Sequence, residues 1–141
     1  MKNLSLIWKI LCVALIAMGA YVTVADAADC EDVRFLVKNS YKTSDGTPRT
    51  IKVVDIQYYD YDKSKWRNKF IKNTKIDPGN KWYVSAIGSA SVYMEFKHVG
   101  GEKTKIKVYY KYYTTSWSSK KSKTSSSFKC SDNMVKTVTV K

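Results

Sequence analysis

The residues best placed to do chemistry lie between 104 and 113, in the stretch TKIKVYYKYY. Lys105, Lys107, Tyr109, Lys111 and Tyr113 fall at every second position, the spacing that puts side chains on one side of a β-strand. Ammonium groups interleaved with flat phenol rings can meet anions through charge while the rings contact sugars or bases. Ile106, Val108, Tyr110 and Tyr112 take the alternate positions and can build a core. The pattern therefore predicts a central strand with one buried row and one displayed row. Residues 114–127, TTSWSSKKSKTSSS, extend the theme: Trp117 is flanked by serines rather than core residues, and Lys120, Lys121 and Lys123 follow. With no apolar period, this tract reads as a low-complexity loop, longer than an idle connector needs to be. Trp117 is expected to anchor a ligand surface, and the three loop lysines to extend the field.

Other chemistry has less to build on. His98 is the chain's one histidine and stands beside a Gly100-Gly101 turn. The serines that could partner it cluster in the low-complexity tract, whereas a catalytic triad needs rigid geometry. The D-x-D pair Asp60 and Asp62 could offer oxygens to calcium, but calcium takes 6–8 oxygens, and Lys63 and Lys65 stand alongside. Asp55, Asp77 or backbone carbonyls would have to join, and the sequence leaves that question open. One histidine and two cysteines after residue 27 do not complete a usual zinc site. No catalytic residue, metal or cofactor is expected, and the chain reads as a non-enzyme.

The elements that position these groups begin after an export signal. Lys2 gives a positive start, residues 10–20 are apolar, and Ala25-Asp26-Ala27 presents small residues at the two positions a signal peptidase reads. Residues 1–27 are thus expected to be a signal-peptide helix, and 28–141 one domain, secreted or periplasmic. A membrane anchor is the rival, but only 15 residues separate Ile10 from Val24 inclusive, short of the roughly 20 a spanning helix needs. Cys30 and Cys130 remain in the mature chain; an even pair in an exported protein predicts a disulfide.

Charge is the strongest compositional signal. The chain carries a formal +13, unevenly spread: residues 28–96 hold 12 basic and 9 acidic side chains, residues 97–141 hold 11 and 2. Such a field attracts polyanions. Arg34, Arg49 and Arg67 are the only arginines. A lysine-rich face suits diffuse, salt-sensitive attraction better than the bidentate contacts of sequence-specific nucleic-acid readout, for which arginine is suited.

Strand patterns recur along the mature chain. Residues 33–38 alternate; 50–59 also alternate but slip phase, Ile51 and Val53 fitting one face and Val54, Ile56 and Tyr58 the other, which a bulge near Val53 and Val54, or burial on both faces, would explain. Strands are further expected at 65–72, with Trp66 inward; at 81–87, with Trp82, Val84 and Ala86 inward; at 91–96; at 128–130; and at 134–140. Asp45-Gly46, Asp77-Pro78-Gly79-Asn80 and Gly100-Gly101 punctuate them. About 7–8 strands without helical periodicity argue for an all-β fold, an antiparallel β-sandwich that brings first and last strands together so that Cys30 and Cys130 can join them. The pattern loosely resembles small exported immunoglobulin-like and C2-like sandwiches, with no motif that specifies a family.

The function these features predict is an exported binding domain whose basic, aromatic face meets an anionic surface, an acidic polysaccharide or a membrane's lipid headgroups. The alternatives are a structural or adaptor protein of the cell envelope that acts through protein–protein contacts, and a secreted membrane-active toxin.

Overall fold

The computed structural model describes residues 27–141. The expected signal, residues 1–27, lies outside the described residues apart from its last position. The described residues form eleven strands and no helix: β1 Cys30–Asn39, β2 Ile51–Asp60, β3 Lys65–Lys69, β4 Thr74–Ile76, β5 Lys81–Tyr83, β6 Tyr93–Phe96, β7 Lys103–Thr104, β8 Ile106–Tyr112, β9 Lys121–Thr124, β10 Phe128–Lys129 and β11 Val135–Val140. The fold is all-β.

Two sheets hold most of these strands. In the first, β1 is central and pairs with β11, β5 and β6. In the second, the order is β3-β2-β8-β9, with β4 also on β2. β7 and β10 form a small separate pair. Alternation decides what each sheet buries. Val33, Phe35 and Val37 of β1, Met94 and Phe96 of β6, and Val138 and Val140 of β11 are buried, as are Ile51, Val53, Ile56, Ile106 and Val108 of β2 and β8. All belong to one hydrophobic cluster, and each such side chain contributes about 1.5–3 kcal/mol when fully buried.

The phase slip in β2 is a bulge: the register with β8 shifts between Val53 and Asp55, leaving Val54 as the extra residue. Inward alternation therefore holds on both sides of it, through Ile51 and Val53, then Ile56 and Tyr58. Buried Asn39 ties the end of β1 to the second sheet. Its side-chain nitrogen donates to the carbonyls of Arg49 and Ile76, each at 2.8 Å, and its oxygen accepts the Tyr41 N–H at 3.0 Å. No polar atom of that side chain is left without a partner, which is what allows it to be buried.

The first and last strands do meet, and the Cys30 and Cys130 sulfurs lie at disulfide distance, with their Cα atoms 6.0 Å apart. The pairing of β1 with β11 is parallel, however, from Arg34↔Val135 to Asn39↔Val140. The expectation of a purely antiparallel arrangement is corrected here. Nothing local distinguishes the two directions, because almost the whole domain forms the crossover between these strands.

Three further expectations change. Trp82 is 62% exposed rather than inward: it stands on a three-residue edge strand, over a hollow beside Ile76 and Asn80. Trp66 is half-buried on the outer side, because its register opposite Tyr59 sets it on the reverse of the row that contains Tyr58. Within the tract 114–127, read as a loop, residues Lys121–Thr124 form β9 and pair antiparallel with β8. All four β9 side chains are exposed, so no apolar period could announce it.

Candidate basic and aromatic face

The outer side of the second sheet is built from three strands. On β8 and the residues flanking it, Lys105, Lys107, Tyr109 and Lys111 are half-buried and Tyr113 is exposed, while Ile106, Val108 and Tyr110 on the alternate row are buried. Cross-strand register then brings Gln57 beside Lys107 and Lys52 beside Lys111 from β2, and Asn68 beside Gln57 and Trp66 beside Tyr59 from β3.

Cations lie over rings across this surface. The Lys105 ammonium is 4.6 Å from the Tyr59 ring centre and 5.4 Å from that of Trp66. Lys107 lies 4.1 Å over Trp66, and Lys120 lies 4.8 Å over Tyr109. Tyr113 and Trp117 pack with their rings 5.2 Å apart and are bridged through their backbones, and Lys52 lies 4.4 Å over Trp117. A hydrogen-bond chain fixes the centre: the Tyr109 hydroxyl donates to Gln57 Oε1 at 2.9 Å, and Gln57 Nε2 donates to Asn68 Oδ1 at 2.6 Å. The rings therefore hold ammonium groups in place. The expectation that Tyr109 offers an open flat contact is modified, since Lys120 covers its ring.

Seven of the nine predicted residues come together here: Lys105, Lys107, Tyr109, Lys111, Tyr113, Trp117 and Lys120. Lys121 and Lys123 do not. They register with buried Tyr110 and Val108, which places them on the opposite side of β9, and the Lys121 ammonium lies 5.7 Å from the Tyr112 ring. Two residues inside a strand cannot share a side with the residue between them, so recognising β9 reverses their placement. Sequence reasoning missed Lys52, Lys75 (5.8 Å from the Trp117 ring centre), Tyr59, Tyr61 (edge-on to Tyr59 at 4.8 Å) and Trp66. Aligning the outward row of β2 with that of β8 was the signal that could have found the first and third.

The D-x-D pair is occupied by protein. Asp60 is buried; its Oδ1 accepts the Lys63 N–H at 2.9 Å, and its Oδ2 accepts from Arg67 Nε at 2.8 Å and lies 2.6 Å from Arg67 Nη2. Burial pushes this carboxyl up, but the Lys63 N–H and the Arg67 guanidinium outweigh it and hold it below the usual carboxylate range. Asp62, its expected companion, is exposed. Among the described residues, no group of three or more His, Cys, Asp or Glu is placed to hold a metal ion. His98 occupies a left-handed turn with φ 59°, where its backbone N–H donates to Asp29 Oδ1 at 2.9 Å.

No protein-family model, curated protein or solved structure matches this chain. The cysteine pair is compatible with an extracytoplasmic location. Among the described residues, no helix is long and apolar enough to cross a membrane.

Proposed function

We propose that this is an exported, non-enzymatic binding domain whose basic, aromatic face meets an anionic surface, an acidic glycan or lipid headgroups. The observation that carries the reading is the array of lysines Lys52, Lys105, Lys107 and Lys120, each set over an aromatic ring on one side of the β2–β8 sheet. Ring contact limits the freedom of these long side chains, so less is lost when an anion orders them. The shared core of the two sheets supports reading the fold as a sandwich, which leaves its outer faces free for contact.

Retention on a heparin-like resin and on anionic vesicles, measured against salt, tests the proposal. Screening lengths fall from about 10 Å at 0.1 M to about 3 Å at 1 M, so binding should be lost across that range. Retention that does not change with salt would remove the electrostatic account.

A second reading, an envelope adaptor, has its own observation. On the far side of the first sheet, Val135, Tyr93 and Tyr83 are exposed, and with Trp82 and Leu36 several of them line a hollow of about 420 Å³. A protein partner held there should survive high salt in a pull-down, whereas a polyanion should be released.

A further inference from the structure

β2 changes its outer neighbour at its bulge. Residues 56–60 pair with β3 and residues 51–53 with β4, so at Val54 and Asp55 the sheet opens toward the connecting segments. The opening is a hollow of about 500 Å³ on the same side as the basic face, lined among others by Lys52, Lys111, Lys120, Asp55, Phe70 and Ile87. Bulges next to a sheet edge often re-aim side chains at functional sites.

Two features set this hollow apart. It gathers three ammonium groups against one carboxylate. It also carries two large apolar side chains in open solvent: Phe70 and Ile87 are each 68% exposed, the most exposed large hydrophobic residues described. Their backbones are tied to each other. The Ile87 N–H donates to the Phe70 carbonyl at 3.1 Å, and the adjacent bridge Ile71↔Ala86 is anchored by buried Ile71.

We propose that this hollow binds the headgroup of an anionic phospholipid, with Lys52, Lys111 and Lys120 around the phosphate and Phe70 and Ile87 at the acyl boundary. The inference rests on the reading of the basic face given above and chooses between its two ligand classes. A glycan would use aromatic faces, and on this surface Trp66, Trp117 and Tyr109 already have lysines over them. Ile87 has no ring to offer a sugar, whereas an aliphatic side chain beside cations is what the headgroup–acyl boundary accepts. Asp55 leaves the site two net positive charges and can accept from a headgroup hydroxyl.

The test is cosedimentation with phosphatidylcholine vesicles, with and without phosphatidylglycerol, alongside elution from a sulfated resin. The parent protein should bind only the phosphatidylglycerol vesicles. The double variant F70S/I87S should bind them at least about tenfold more weakly, because two apolar contacts are lost, yet leave the resin at the parent's salt concentration. Both sites are exposed, and matching circular dichroism will confirm that the variant folds. As an independent readout, Phe70→Trp should add a fluorescence component, beyond the parent's own tryptophans, that brominated acyl chains quench. Undiminished vesicle binding by F70S/I87S, or no quenching of the added tryptophan, overturns the lipid site. A parent that binds the resin but no vesicle overturns it too and leaves the glycan reading standing. A parent that binds neither defeats the broader proposal as well.

Discussion

The Lys107 ammonium lies 4.1 Å from the centre of the Trp66 indole, although the two residues stand on strands that are not neighbours. β2 runs between β8 and β3, and Lys107 registers with Gln57, which registers with Asn68. The lysine therefore leans diagonally across β2 to reach a ring that is itself packed edge-on to Tyr59 at 5.1 Å. Three strands must be assembled before this cation has a fixed position, so the charge pattern of the face is a product of the fold.

Trp66→Ala should consequently weaken polyanion binding although it removes no charge. A partly exposed cation–π contact is worth about 0.5–1 kcal/mol, so affinity for a sulfated resin should fall about two- to fivefold. Trp66→Phe, which keeps a ring, should lose less. Elution of Trp66→Ala at the parent's salt concentration would show that ring support for Lys107 is irrelevant to binding.

Charge removal on the face itself should act more strongly. K105Q/K107Q/K111Q deletes three cations from one row, and near an anionic membrane each lysine is worth about 1 kcal/mol. The triple variant should therefore bind anionic vesicles about 100-fold more weakly. The matched double variant K121Q/K123Q removes charge from the opposite side of β9 and should bind with less than a third of that free-energy loss. Equal losses per lysine in the two variants would mean that net charge, and not this face, governs binding.

The buried Asp60–Arg67 pair sets a pH dependence. The Asp60 carboxyl is held below its ordinary value in the folded state, whereas an unfolded aspartate titrates near about 3.9. The folded state thus binds the proton less readily than the unfolded one. The pair's contribution is present above about pH 4 and is lost as pH falls through the folded value. Asp60→Asn leaves Arg67, only 22% exposed, without its counter-charge and should cost about 3 kcal/mol at neutral pH. Asp45, lowered to about 2 by the Thr43 hydroxyl and the Thr47 N–H, also titrates in acid, but it is common to both proteins and cancels. Urea midpoints should show a wide gap between parent and variant at pH 7 and a narrower one at pH 3. A gap of the same width at both values would exclude the ionised pair as its source.

How much of this was legible beforehand depended on whether a side chain alone could report its surroundings. Ile106, Val108 and Tyr110 announced the buried row of β8, and the slip from Val53 to Ile56 announced either a bulge or burial on both faces, because burial leaves an apolar period. Trp66 could not be placed that way: an indole fits either side of a sheet, and only the register with Tyr59 decides. Trp82 looked like core because edge strands carry the same residues as central ones. β9 was invisible, since Lys121–Thr124 is held by backbone bonds and its side chains all face solvent. With β9 missed, Lys121 and Lys123 could not be assigned a side. The hollow at Asp55 was beyond reach for a further reason, as it needs residues from five separate segments.

Gly100 and its neighbour Gly101 offer a last check on how the chain's ends are fastened. The Gly100 N–H donates to the Ala28 carbonyl at 2.6 Å, and Gly100 is bridged to Cys130. A methyl group at Gly100 would come within 2.7 Å of the Ala28 carbonyl oxygen and closer still to that of Asp29. Backbone, not a flexible side chain, would have to move, two residues from Cys30. Gly101 has φ 72° but open space around it, so Ala there meets only the left-handed conformational cost of about 1–2 kcal/mol. Gly100→Ala should cost about 3 kcal/mol, the upper end of overpacking. Severing the Cys30–Cys130 link, whose loop spans 100 residues, should cost about 4–5 kcal/mol. The loop-closure cost does not depend on the 28–29 segment, but the Gly100 clash does. Once C30S/C130S frees that segment to shift, Gly100→Ala should therefore cost less than it does in the oxidised parent. Urea denaturation of the four combinations measures this coupling. Strictly additive losses would show that the strand start is held independently of the disulfide.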